Sequence, residues 1–322
     1  MSLRVLWPDV IEPPALGAAH PVGDSTLDDV EMLVYDAASP LPESAHDADV
    51  FVVWGRPSHL LPDDARALTM VQLVQGLMAG TEVLTAAGFA DDAVVCSGVG
   101  LHDRPVAEHT LALVLALVRR LPTLLEARRE CTWRADMAGH QPLHPEGPVT
   151  TLLDAEVLIW GFGSIAHTLA PMLTALGARV RGVARSAGVR AGVEVVGAAD
   201  VDTVLPETDI LVSLLPGTED TRHVIDTRRL DLLPAHAYVV NVGRGSVLDE
   251  DALVAALHAG TLGGAALDVM ETEPLPPDSP LWRAPGVILT PHCAGGRPVG
   301  YGDLLRTNLR ALRTGTGWRN RV

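Results

Sequence analysis

The sequence predicts an α/β protein built from two parallel-sheet units. Three observations carry that prediction. Short apolar runs alternate with helical, Pro/Gly-punctuated segments in a βαβ rhythm, which requires parallel strands. The rhythm runs once through the first hundred residues and restarts after a long apolar helix that opens near Pro105. At 322 residues the chain is long enough for two domains of ordinary size.

In the first series, strands are expected at Leu3–Trp7, Met32–Tyr35, Val50–Trp54, Val71–Val74 and Val94–Cys96. Pro62–Leu68 reads as a helix between them. Pro105–Leu121 reads as one long helix, with Pro105 suited to its first turn. It is nearly apolar all round from Leu111 to Val118, which predicts burial, including against a partner subunit. Gly139–Pro148, rich in Pro, Gly and His, reads as a connector. The second series predicts strands at Glu156–Trp160, Ala178–Val183, Ile210–Leu215, Tyr238–Val242, Ala265–Val269 and Val287–Thr290. Helices are expected over Gly161–Gly177, Asp249–Ala259 and, amphipathic, over Val299–Arg313.

Composition narrows the function. Hydrophobic residues make up 48% and charged residues 20%, as in a globular protein with substantial cores. Aromatics are only 4%, so Ala, Val and Leu carry the packing. The formal charge of −16 opposes nucleic-acid binding, which needs a basic footprint. All 24 basic residues are arginine, which excludes lysine Schiff-base chemistry. Cys96, Cys131 and Cys293 are sparse, odd in number and without CxxC spacing, which fits a reducing cytoplasm. The first residues lack a signal-peptide core, and the apolar run Leu111–Val118 is too short to span a bilayer. His140 and His144 flank prolines in a loop, where helical metal-ligand geometry is not expected. No metal site is expected.

Gly161-Phe162-Gly163-Ser164-Ile165-Ala166 follows the expected strand Glu156–Trp160 and opens a helix. That is the context a dinucleotide-binding GxGxxG/A motif requires. Gly161 permits the tight turn, Gly163 lets the backbone approach a pyrophosphate, and Ala166 stands where close helix packing is needed. The helix N-terminus then holds the pyrophosphate. About 20 residues on, NAD-selective sites carry a carboxylate for the ribose 2′-hydroxyl. This chain has Ala184-Arg185-Ser186 there. Arg185 is placed to attract a 2′-phosphate, with Ser186 adding a hydrogen bond and Arg181 or Arg190 assisting. The expectation is NADP(H), with NAD possible.

The sequence resembles the D-isomer-specific 2-hydroxyacid dehydrogenase family, which includes glyoxylate/hydroxypyruvate reductases and phosphoglycerate dehydrogenases. The resemblance runs from about Val71 to Gly296. It rests on Val74-Gln75-Gly76-Leu77-Met78-Ala79-Gly80, Val106-Ala107-Glu108-His109, the glycine motif and Leu214-Leu215-Pro216-Gly217-Thr218. It continues through Asn241–Gly245 with Val247–Glu250, Leu267–Pro274, and Thr290-Pro291-His292. It implies two Rossmann-like or flavodoxin-like domains, with the cofactor domain inserted into the substrate domain. The substrate domain would comprise residues 1–102 with 293–322, and the dinucleotide domain 103–292. The active site would lie in the cleft, at the carboxyl ends of the strands. A homodimer is implied as well.

Reducing a 2-keto acid requires a grip on the substrate carboxylate, a polarised carbonyl and a proton for its oxygen. The resemblance makes Arg244 the substrate-binding arginine, its planar fork matching a carboxylate. His292 is the expected general acid in reduction and base in oxidation, since imidazole titrates near neutrality. Glu273, directly before Pro274 as in the family pattern, is expected to orient His292; Glu271 is the competing carboxylate. The resemblance also places the dinucleotide against Gly161, Phe162, Gly163, Ser164, Ile165, Arg185, Ser186, Leu215, Pro216, Val242, Gly243 and Asp268, the last toward the nicotinamide carboxamide. Met78, Ala79 and Gly80 would offer backbone N–H groups to the substrate; where the family continues with a hydrophobic residue and Asp, this chain has Thr81-Glu82. His102-Asp103 would form the hinge, and Arg56 is a candidate contact for a substrate's distal group. The leading expectation is an NADPH-dependent reductase of glyoxylate or hydroxypyruvate. The alternatives are a phosphoglycerate dehydrogenase-like activity, which needs a basic cluster in the N-terminal domain, where Arg4, Arg56 and Arg66 are scattered, and a dinucleotide-sensing corepressor-like binding protein.

Overall fold

The computed structural model describes residues 2–15, 27, 29–141, 147 and 149–322. His144 and most of the expected connector 139–148 lie outside the described residues. The chain divides into two compact units, Met1–His102 with Arg297–Val322, and Asp103–Gly296.

The first unit is a five-stranded parallel sheet in the order β2-β1-β3-β4-β5. Its strands are β1 (Leu3–Pro8), β2 (Val30–Tyr35), β3 (Val50–Val53), β4 (Leu73–Gly76) and β5 (Val94–Cys96). Alternation along the strands builds two cores. Val5, Trp7, Val50 and Val52 face one side, where Leu304, Leu305 and Leu309 of the C-terminal helix Tyr301–Thr314 cover them. Leu6, Phe51 and Val53 face the other, under Leu61 of α1 (Leu61–Ala67) and Leu84 of the short α2 (Glu82–Thr85). Strand β4 starts two residues later than the apolar pattern suggests and includes Gln75, which is fully buried. Its amide is satisfied inside the fold. Gln75 Nε2 donates to Gly76 O at 2.8 Å, and Asn308 Nδ2 donates to Gln75 Oε1 at 2.6 Å. A polar residue in a central strand hides that strand from a hydrophobicity pattern.

Arg56 is not a substrate contact. Its guanidinium is completely covered, 0% exposed, and spent on the fold. Nε and Nη2 hold Asp64 as a two-pronged pair at 2.7 and 2.5 Å, and Nη1 donates to Ala37 O and Ser39 O at 3.0 and 2.7 Å. The cation also lies 5.4 Å from the Tyr35 ring centre. His102 ends this unit, stacked on Trp54 with centroids 5.2 Å apart and bonded through Nε2 to Leu77 O at 2.6 Å.

The second unit opens with α3 (Asp103–Val118), followed by α4 (Leu121–Arg129). The single helix expected to Leu121 is therefore two. Arg120 sits in the left-handed region at φ +51, and Pro122 lies in the first turn of α4, where it cannot accept a continuing helix. An eight-stranded sheet follows in the order β13-β12-β11-β10-β6-β7-β9-β8. The strands are β6 (Glu156–Trp160), β7 (Arg179–Ala184), β8 (Gly188–Arg190), β9 (Val193–Gly197), β10 (Ile210–Ser213), β11 (Tyr238–Asn241), β12 (Gly264–Leu267) and β13 (Val287–Leu289). All pair in parallel except β8, which pairs antiparallel with β9. That hairpin is absent from the sequence expectation. Its turn, Ala191-Gly192, has φ of +50 and +78, the geometry of a tight two-residue hairpin turn. Alanine at the first turn position gives no Asn/Asp-Gly signal. On one face Val157 and Ile159 pack with α3 and α5 (Ser164–Ala175); on the other Leu158 and Trp160 pack toward α7 (Glu250–Ala259). The short α6 (Thr227–Leu230) lies between β10 and β11 in the chain. Helix α3 turns Val106, Ala107, Thr110, Leu113, Val114 and Leu117 inward, so its apolar stripe is covered within its own unit.

Removing Arg56 strands a carboxylate that is 2% exposed. Arg56→Met is expected to cost about 3–5 kcal/mol of stability, and the double change with Asp64→Leu to recover most of it. Chemical denaturation of the three proteins checks this.

Candidate active site

The strand order reverses between β6 and β10, the neighbours at the centre of the second sheet. Crevices at such switch points, outside the carboxyl ends of the strands, are where ligands bind in open α/β sheets. The loop leaving β6 is built for that. Gly161 has φ +103, and a Cβ there would stand 2.7 Å from the Leu214 carbonyl group, so only glycine fits. Gly163 is the N-cap of α5, no side chain caps that helix, and the space where its Cβ would point is open. Uncapped amides and open room beside them suit a pyrophosphate. Phe162 contributes backbone only, because its ring is buried in the core with α5. Ile165 is partly buried there too, and the Ser164 hydroxyl donates to Asp103 at 2.8 Å.

After β7, Arg185 is exposed and makes no hydrogen bond or ion pair among the described residues. Arg190 reaches back and donates from Nη2 to Ser186 O and Oγ, both at 2.9 Å. Thus Arg190 and Ser186 brace the loop and Arg185 is left free. Arg181 does not assist; it pairs with Glu207 at 2.9 Å and with Glu156 at 3.8 Å.

The chemistry-bearing residues are linked by contacts in series. Asn241, fully buried at the end of β11, donates from Nδ2 to Arg244 O at 2.9 Å and fixes that turn. Val242 and Gly243 are buried in the same turn, against Leu215. Pro216 is exposed beyond it. Arg244 is half-buried, spends one N–H on Gly243 O at 2.8 Å, and keeps the rest of its fork free of any carboxylate among the described residues. The next residue, Gly245, lies so tightly against the Met270 backbone that a Cβ would stand 1.9 Å from the Met270 carbonyl carbon. Met270 N donates to Glu273 Oε1 at 3.0 Å, and Glu273 Oε2 meets His292 Nδ1 at 2.7 Å. Glu273 accepts, so His292 carries its proton on Nδ1 toward the carboxylate and presents Nε2 to solvent; its side chain is 49% exposed.

Glu271 is committed elsewhere. Its carboxylate holds His223 Nε2 and lies 3.6 Å from Arg222, while its N–H donates to Glu250 Oε1 at 2.7 Å. Burial pushes the Glu250 carboxyl up, against the hydrogen bond it receives from the Glu271 N–H. His223 had no signal in the sequence, because it lies far along the chain in a loop with no motif.

Asp268 is 1% exposed just past the end of β12. Its backbone O accepts from His292 N at 2.7 Å, its Oδ1 from Cys293 N at 3.0 Å, and its Oδ2 from Ala294 N at 3.0 Å. The Thr290 hydroxyl donates to Oδ1 at 2.5 Å. These bonds hold His292 in the left-handed region, φ +50, a conformation a non-glycine residue keeps only under constraint. Donor atoms of His109, Asp268 and Cys293 lie within 4.8 Å of one another. The Asp268 oxygens are already taken by these donors, and burial and Asp268 raise the Cys293 thiol, keeping it protonated. That chemistry suits hydrogen bonding rather than a cation. In the first unit, Met78, Ala79 and Gly80 form the loop leaving β4 at the carboxyl end of the sheet.

A two-unit α/β chain with a dinucleotide turn and an Arg, Glu, His series defines a class of nicotinamide-linked oxidoreductases. The family model described as "D-isomer specific 2-hydroxyacid dehydrogenase, NAD binding domain" matches residues 111–294. A glyoxylate/hydroxypyruvate reductase A from Salmonella paratyphi B is 34% identical over 276 residues, 83% of this chain and 84% of that one. Among solved structures, a D-isomer specific 2-hydroxyacid dehydrogenase family protein from Aeromonas salmonicida superposes with TM-score 0.82 at 27% identity, covering 100% of this chain and 98% of that one. A D-isomer specific 2-hydroxyacid dehydrogenase from Xanthobacter autotrophicus, in complex with NADPH and MES, gives 0.78 at 31%, with the same coverage. An NADPH-dependent glyoxylate/hydroxypyruvate reductase from Sinorhizobium meliloti, in complex with NADP and sulfate, gives 0.79 at 28%, again covering 100% and 98%. The chain belongs to the D-isomer specific 2-hydroxyacid dehydrogenase family and carries its NAD-binding domain.

Glu273→Gln is expected to lower kcat by about a hundredfold and to reshape the pH–rate profile, since it alters the carboxylate that meets His292 Nδ1. Glu271→Gln leaves that profile in place. Gly245→Ala is expected to lower activity severely, because Arg244 and Met270 must part; kinetics on purified variants, with melting temperatures alongside, check both.

Proposed function

We propose that this chain is an NADPH-dependent reductase of small 2-keto acids, with glyoxylate and hydroxypyruvate its favoured substrates. The observation that carries the reading is the unbroken series from Arg244 through Met270 and Glu273 to His292. The Asp103–Gly296 unit takes the dinucleotide, and the unit of Met1–His102 with Arg297–Val322 takes the substrate role.

The nicotinamide supplies a hydride to the substrate's carbonyl carbon when bound. The free N–H groups of Arg244 grip the substrate carboxylate and face its carbonyl oxygen. His292 delivers the proton to that oxygen from Nε2, and Glu273 holds the ring through Nδ1 and stabilises the charged imidazole. Backbone N–H groups of Met78, Ala79 and Gly80 also serve the substrate carboxylate. Gly161 to Ile165 hold the pyrophosphate, Leu215, Pro216, Val242 and Gly243 line the path of the cofactor, and Asp268 lies at its nicotinamide end.

Two features support the finer assignments. Arg185 is the unengaged cation where an NAD-selective site would carry a carboxylate, which favours NADPH. A phosphorylated substrate has little to bind among the arginines of residues 1–102, where Arg4 pairs with Glu31 and Asp47, Arg66 with Asp63, and Arg56 is buried.

No helix among the described residues is long and apolar enough to cross a membrane. Cys96, Cys131 and Cys293 are unpaired, which suits the cytoplasm. The second copy expected of this protein belongs on α4. Leu121, Leu124 and Leu125 are exposed there, and Leu124 lines a cavity of about 710 Å³ together with Trp133, which is 86% exposed just beyond the helix. Arg119 and Arg128 line it without acidic partners among the described residues.

Purified protein is expected to oxidise NADPH with glyoxylate and hydroxypyruvate, and not with 3-phosphohydroxypyruvate; no turnover of any keto acid would overturn the proposal. Arg185→Ala is expected to raise KM for NADPH about tenfold or more while leaving KM for NADH unchanged. Light scattering is expected to report a dimer, and Leu124→Glu to shift it toward monomer.

A further inference from the structure

We propose that His109 is a positioning residue for proton transfer at His292, acting through Thr290 and the buried Asp268 carboxylate. The inference rests on the catalytic reading of His292 given above and adds a residue to it.

His109 lies on α3 and reaches the floor of the His292 turn. Its Nε2 stands 3.1 Å from Thr290 Oγ1 and 3.4 Å from Asp268 Oδ1. The protons can be assigned by counting. Thr290 has one hydroxyl proton, and it goes to Asp268 Oδ1. Thr290 Oγ1 therefore accepts from His109, and Nε2 must carry a proton. The second contact places that same N–H beside the carboxylate oxygen that also receives Cys293 N.

Asp268 Oδ1 thus lies among His109, Thr290 and the Cys293 amide, while Oδ2 takes the Ala294 amide. The carboxylate is 1% exposed and no arginine pairs with it among the described residues. The His109 ring, 22% exposed, stands beside it together with the Thr290 hydroxyl and the Cys293 thiol. An acceptor buried to this degree keeps its orientation only while its donors hold it. Its orientation in turn fixes the amides of Cys293 and Ala294, directly after the proton donor. Removing the His109 donor lets the carboxylate rotate, loosens the left-handed turn at His292, and spoils the alignment of Nε2 with substrate oxygen. Small misplacements of a catalytic group cost rate far more than binding. Among the described residues His109 bonds to neither Glu273 nor Arg244, so its effect on rate passes through this network.

The test uses the full chain with NADPH and glyoxylate, and four variants: His109→Leu, His109→Gln, Thr290→Val and the double variant His109→Leu/Thr290→Val. His109→Leu is expected to lower kcat about tenfold with KM for NADPH changed less than about twofold. Amide exchange at residues 292–294 should accelerate in the same protein. His109→Gln, which keeps a donor near the Nε2 position, should restore most of kcat. Thr290→Val should reproduce the loss, and the double variant should be little worse than either single change, because all three break one network. Wild-type kcat and wild-type exchange in His109→Leu would overturn the proposal, as would a His109→Gln protein as impaired as His109→Leu, or losses that simply multiply in the double variant. His292→Asn, assayed in parallel, separates the two readings. If it retains wild-type kcat, the catalytic assignment itself falls; if it is inactive while His109→Leu is unaffected, only the positioning role falls.

Discussion

The buried carboxylate of Asp268 is the constraint on which the site depends. It stands just beyond β12, 1% exposed, and its residue receives the N–H groups of His292, Cys293 and Ala294 in succession. A parallel sheet presents its strand ends as a row, but it does not by itself give a loop residue a left-handed backbone. Asp268 does that for His292. An apolar residue in its place would leave two amides, those of Cys293 and Ala294, without their side-chain acceptors, each costing about 1–3 kcal/mol where water cannot reach.

The same economy of backbone contact recurs along the second sheet. Gly161 against Leu214 and Gly245 against Met270 allow successive strand-end loops to touch without side chains between them. The loops therefore pass alignment from one to the next. Arg244 is placed by Asn241 and Gly245, Glu273 by Met270, and His292 by Glu273 and Asp268. That matters for a reaction in which a carboxylate grip, a carbonyl and a proton must be aligned at once, since preorganised groups need no rearrangement as charge develops. The net charge of −16 works against an anionic substrate at long range, and in the proposed mechanism the fork of Arg244 is the local answer to it.

Most of the fold was legible because β-branched runs and turn residues mark parallel strands directly. Glu156–Trp160 and Val94–Cys96 appear with the expected bounds. What the sequence hid has identifiable causes. Gln75 disguises β4 because its amide is satisfied by Asn308, some two hundred residues away. The β8–β9 hairpin turns on Ala191, a residue without turn chemistry of its own, driven to positive φ by its context. The break at Arg120 is a backbone event that an apolar pattern smooths over, although Pro122 was a visible warning. In the site, residue types at motif spacing pointed to Arg244, Glu273 and His292, whereas the satisfaction of their neighbours could only be seen in space. Arg56 looked available and is consumed by Asp64; His109 looked like part of a helix motif and meets Thr290.

In the proposed reaction this chain moves a hydride to a keto acid while His292 supplies the proton. The direct measurement is label transfer from NADPH deuterated at the nicotinamide C4, on the transferred face, to glyoxylate, followed by mass spectrometry of the product. The account predicts glycolate carrying deuterium at C2, formed by the wild-type chain and slowed about 10²–10⁴-fold by His292→Asn although that variant still binds NADPH. Unlabelled product from the wild-type chain, or labelled product formed as fast without the imidazole, would contradict it.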